Sequence, residues 1–140
     1  MLFRSFYIAN AAATANVLNV SGGQPVVLPA GAIVTSVAIT STGANTIDMG
    51  FTPLVGVGPG QTTTLGTNVP NGYLNSANVS TRATVSVGST GQGTQLGNVA
   101  NATRLVVVTA AQGSPGANAG AVTGIIQYYV ADATYGQQNV

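Results

Sequence analysis

Apolar and polar positions alternate with a period of two along much of this chain, the spacing of half-buried β-strands. Leu2, Phe6 and Ile8 stand against Phe3, Ser5 and Tyr7, which predicts an opening strand or arm within residues 1–9. Short strands are expected over 17–20 and 25–28, split by Ser21-Gly22-Gly23. Pro29-Ala30-Gly31 reads as a turn into a strong strand over 33–41. Thr42-Gly43-Ala44-Asn45 makes a hairpin connection into 46–51, with Ile47, Met49 and Phe51 on one face.

The signal weakens over 52–80. Gly56, Gly58, Pro59, Gly60, Pro70, Asn71 and Gly72 break that stretch into turns, leaving short strands near 62–65 and 73–74. A clear strand is predicted over 81–87. Residues 88–101 form a loop of Gly, Gln and Asn, and loops of that length are usually functional or partner-contacting. The strongest late strands are 104–110 and 121–130, joined across Gly113-Ser114-Pro115-Gly116; residues 131–140 read as a polar C-terminal arm. Residues 9–15 would be a loop of small residues. Thr81-Arg82 and Thr103-Arg104 each lead into a valine-rich run, but one echo makes no repeat architecture.

Eight or nine short strands without a substantial helix predict an all-β chain. The expected fold is a single β-sandwich domain spanning 1–140, with a jelly roll as one form of it. Composition agrees. Leu, Ile, Val and Phe make up 36 of the 140 residues, enough for one core, and Val (19) and Thr (18) far outnumber Leu (8), favouring strands over helices.

Charge changes the picture. Arg4, Arg82, Arg104, Asp48 and Asp132 are the whole complement, and Lys, Glu, His, Cys and Trp are absent. Nucleophilic catalysis needs a Ser, Thr or Cys beside a base, and no His, Lys or Cys exists to act as one. Two isolated carboxylates lack a catalytic context, so no enzyme is expected and no catalytic residue is assigned. Without His or Cys no transition-metal site is expected, and no cofactor follows from the glycine clusters at 56–60 and 88–97, which no Lys follows. Three Arg neutralise too few phosphates for nucleic-acid binding. No apolar run approaches the roughly 18 residues of a membrane span. The run from Phe6 to Ala9 is too short for a signal peptide, so a soluble protein without an export signal is expected. The acceptor tripeptides at Asn19, Asn78 and Asn101 are chance matches in a chain so rich in Asn, Ser and Thr.

A chain with so little charge lacks the lysines that usually keep sheet edges apart, which favours association with its own copies. The candidate assembly contacts are Leu2, Phe3, Phe6 and Tyr7 near one end and Tyr135 near the other. Residues 1–9 are either a strap that adds to a neighbour's sheet or the first strand of their own.

The stretch Val26-Val27-Leu28-Pro29-Ala30-Gly31-Ala32-Ile33-Val34-Thr35-Ser36-Val37 resembles a pattern in phage capsid decoration and head-fibre proteins. There a Leu-Pro-x-Gly turn leads into a strand and then a hairpin ending near a glycine, here Asp48-Met49-Gly50. Residues 103–108 and 120–129 look similar too, and minor capsid proteins of large eukaryotic DNA viruses fit the same pattern. The resemblance covers about half of the chain and omits 52–80. It implies a virion protein on the capsid surface, a decoration, cement or minor capsid subunit, often trimeric, with the major capsid protein as partner. The competing expectation is a receptor- or glycan-binding fibre or adhesin module, for which Tyr73 is the one aromatic in the central loops.

Overall fold

A computed structural model describes residues 1–8, 16–20, 23–42, 46–78, 83–110 and 121–130. The glycine-rich connection at 113–116, the arm at 131–140, the small-residue run at 9–15, Arg82, Asp132 and Tyr135 lie outside the described residues. Ten strands and no helix are found among those described: β1 (Leu2–Ile8), β2 (Asn16–Val17), β3 (Val27–Leu28), β4 (Ala32–Ser41), β5 (Thr46–Val55), β6 (Thr64–Leu65), β7 (Val69–Asn78), β8 (Ala83–Ser86), β9 (Arg104–Ala110) and β10 (Val122–Val130). They form two antiparallel sheets packed face to face as a β-sandwich. One runs β1-β10-β4-β8; the other runs β2-β9-β5-β6, with β3 also on β9 and β7 also on β5.

The pairing has an internal logic. β2 and β3 lie in line along β9, and β6 is a two-residue appendage on β5, which leaves eight principal strands. Numbered in sequence as one to eight, the first pairs with the eighth, the second with the seventh, the third with the sixth and the fourth with the fifth. Four antiparallel pairs wound around one core in this way make a jelly roll.

Alternation then fills the core. Phe6, Val34, Val37, Ile39, Val85, Val122, Ile126 and Tyr128 come from the first sheet, and Leu28, Ile47, Met49, Phe51, Leu74, Val106 and Val108 from the second. The strands over 33–41, 46–51, 104–110 and 121–130 stand where the pattern predicts them. The weak stretch does not. β5 continues to Val55, and β7 is a ten-residue strand that holds Pro70, Asn71 and Gly72 within it. Its pairing with β5 steps from Met49↔Leu74 to Phe51↔Val69, so residues 70–73 bulge around Gly50. A Cβ on Gly50 would overlap the Val69 carbonyl oxygen and come within 2.6 Å of the Pro70 carbonyl carbon, so the bulge requires glycine there.

The long segment after β8 packs into the fold. It crosses from the first sheet to the second at one end of the sandwich, buries Leu96 and Ala100, and ties back through Gly97 N–H to Val34 O and Ala100 N–H to Ala32 O. No helix among the described residues is long and apolar enough to cross a membrane.

Candidate functional site

Two features stand out: the outer face of the β1-β10-β4-β8 sheet, and a buried arginine at one end of the sandwich. The first is fixed by register. Phe6, Ile126 and Val37 point inward, so their neighbours point out: Phe3, Ser5 and Tyr7 on β1, Thr123, Ile125, Gln127 and Tyr129 on β10, Ser36, Ala38 and Thr40 on β4, and Thr84 and Ser86 on β8. None of these is charged. Phe3 is 62% exposed and Ile125 46%, and Tyr7 and Tyr129 are also exposed. The face carries a shallow depression of about 340 Å³ over Gly124, bordered by Ser5, Thr40, Thr123 and Ile125.

β1 closes this sheet on one side, and its outer edge is only partly used. Tyr7 N–H donates to the Asn19 carbonyl at 2.7 Å, and Asn19 N–H returns a bond to the Tyr7 carbonyl at 3.3 Å. Backbone groups alternate in direction along a strand, so Phe3 and Ser5 turn theirs the same way as Tyr7. No described strand pairs with them there.

The sequence-derived contacts divide accordingly. Leu2, Phe3 and Tyr7 are exposed on β1, whereas Phe6 is 3% exposed and belongs to the core, because its parity on the strand points it at Gly124. Residues 2–8 form a strand of the chain's own sheet. Tyr73, read from sequence as a central-loop aromatic, lies on β7 and is fully buried.

Sequence reading missed the second feature. Arg104 opens β9 on the same parity as Val106 and Val108, so its side chain enters the core from the end and is 3% exposed. The sequence carried no signal for this, since both parities over 104–108 are apolar. Its guanidinium lies 3.9 Å from the centre of the Phe51 ring. Nη1 donates to the Tyr73 hydroxyl and Nη2 to Gln95 Oε1, each at 3.3 Å, while Nε is buried with no acceptor. Burial raises the Tyr73 pKa above its ordinary value, and the hydrogen bond and charge of Arg104 partly oppose that rise.

Asp48 is the single carboxylate among the described residues. It pairs across the ladder with Thr109, five residues on from Arg104 and so roughly 17 Å away. There its Oδ1 accepts the Ser76 N–H at 2.6 Å. Arg104 therefore has no counter-ion among the described residues. Burying such a charge costs several kcal/mol. A desolvated cation–π contact returns about 2 kcal/mol and each charged hydrogen bond about 1.5–3. Beside it opens a recess of about 560 Å³, lined by Arg104, Gln95, Asn101 and Thr67 and walled by Pro53 and Val55, among others.

No group of three or more His, Cys, Asp or Glu side chains stands together among the described residues. No family model, curated protein or solved structure matches the chain.

Proposed function

We propose that this chain is a virion structural subunit, a capsid decoration, cement or minor capsid protein that binds its own copies and a major capsid shell and performs no catalysis. The observation that carries the assembly reading is the uncharged sheet face bearing exposed Phe3, Tyr7, Ile125 and Tyr129, continuous with the open edge at Phe3 and Ser5. Such a face meets a partner without stranding a charge, and the edge offers N–H and C=O groups that no described strand pairs, suited to strand addition. Jelly rolls serve in viral capsid and lectin domains, which is support by fold analogy alone. The capsid setting and the preference for a trimer rest on the sequence resemblance. The glycan-binding alternative is weakened by the burial of Tyr73.

Sedimentation of the purified protein tests the reading. A discrete oligomer, a trimer by preference, is expected, and Phe3→Glu combined with Ile125→Glu should convert it to a folded monomer. Incubation with emptied shells of the parent particle, followed by pelleting, should recover the wild type at fixed stoichiometry. A monodisperse monomer with no affinity for shells overturns the proposal.

A further inference from the structure

The recess at the end of the sandwich is separate from the neutral face, and its chemistry is different. Arg104 is one of three cationic side chains in the whole chain, and the fold sends it into the core end rather than to the surface. Among the described residues two of its five N–H groups have acceptors, both neutral, and Nε has none. Gln95 gives its Oε1 to Arg104, which leaves its NH₂ as a donor at the same place. Asn101 and Thr67 add further polar side chains, and Pro53, Val55 and Val69 supply an apolar wall. A concave site of this size, mostly apolar with a few convergent polar groups, is the usual form of a small-ligand pocket.

The sign of the charge selects the ligand. A guanidinium that is 3% exposed and has no counter-ion among the described residues favours an anion, and its planar fork matches a carboxylate. The wall favours an apolar body on that anion. We infer that this recess binds a carboxylate carried on a short aliphatic group, with Arg104 supplying the charge and Gln95 and Asn101 supplying amide hydrogen bonds. This inference is independent of the assembly reading. The carboxylate comes either from a free small acid or from an acidic side chain of a polypeptide, and the two sources are separable by experiment.

The test follows the Arg104 Nε–Hε resonance in ¹H–¹⁵N spectra of the full chain during titration. Sodium isovalerate should shift it saturably, and neutral isovaleramide should bind at least about tenfold more weakly, since it lacks the charge. An acetylated and amidated peptide with one Asp between two valines forms the second arm. Tighter binding of the peptide assigns the site to a polypeptide carboxylate, and binding of isovalerate alone assigns it to a small acid. Arg104→Met removes that reporter, so in this variant the Gln95 side-chain amide resonances are followed instead, and isovalerate should no longer shift them as it does in the wild type. Should that variant fail to fold, Val55→Asp places a repelling charge in the lining of the recess and should weaken isovalerate about tenfold. Val57→Asp, exposed nearby but outside the lining, should not. The inference is overturned if neither probe shifts the resonance, if the amide matches the acid, or if Val55→Asp and Val57→Asp behave alike.

Discussion

Phe3 and Phe6 sit three residues apart on one strand, yet the sandwich gives them opposite roles, and truncating each to alanine separates those roles. Phe6 is 3% exposed, and its ring packs where Gly124 on β10 has no side chain. A Cβ at Gly124 would stand 2.6 Å from Phe6 Cζ. Removing a buried phenyl group costs about 3–5 kcal/mol, the lost transfer energy plus a cavity. β1 is an edge strand able to settle partly into the gap, so Phe6→Ala belongs near the lower end, about 3 kcal/mol. That is a large share of the roughly 5–15 kcal/mol of an ordinary domain. For a chain of this length it corresponds to a fall in Tm of about 10 °C. Phe3→Ala removes a ring that is 62% exposed and should change monomer stability by less than about 0.5 kcal/mol. Its effect should appear in association instead. Urea unfolding followed by tyrosine fluorescence and circular dichroism, at a protein concentration below the assembly range, measures both. Equal costs for the two variants, or a cost below about 1 kcal/mol for Phe6→Ala, would refute the assignment of Phe6 to the core and Phe3 to the surface.

Gly124→Ala should destabilise by about 3 kcal/mol or more, because the new methyl group meets the Phe6 ring and overlaps the Ala38 carbonyl oxygen; Phe6→Leu in the same chain should recover part of that loss in a double-mutant cycle. Tyr73 holds its proton more tightly when folded, so the unfolded chain ionises first as the pH passes about 10. Its contribution is therefore intact below that pH and is lost as the pH climbs toward the folded value. Tyr73→Phe should flatten this alkaline decline in urea midpoint, at a cost near neutral pH of about 1–2 kcal/mol for the hydrogen bond lost by Arg104. Ser76 adopts φ of 50°, a left-handed conformation, so Ser76→Gly should be neutral or stabilising by up to about 1 kcal/mol in the same assay.

Much of the fold was legible along the chain. The alternation of Leu2, Phe6 and Ile8 against Phe3, Ser5 and Tyr7 located β1, and valine-rich runs bounded by turn residues located β4, β9 and β10. Strand formation at these places follows from local side-chain pattern, which sequence records directly. Near-absence of charge also follows from composition, and with it the expectation of neutral surfaces.

Other features arose only from partners distant in sequence. Pro70, Asn71 and Gly72 carry turn propensity, but β5 draws them into β7, and Gly50 on the facing strand makes the bulge sterically possible. Which face of β1 is solvent depends on its register with β10, more than a hundred residues away, and that register sends Phe6 inward while leaving Phe3 on the neutral face. Arg104 was hidden for a related reason. In Arg104-Leu105-Val106-Val107-Val108 both parities are apolar, so alternation alone does not say which one enters the core. Pairing of β9 with β5 fixed that parity, and the crossing segment brought Gln95 to the guanidinium. Sequence determines where strands form because that choice is local. Tertiary structure decides which face is buried and which cation has no counter-ion among the described residues, because those depend on long-range register.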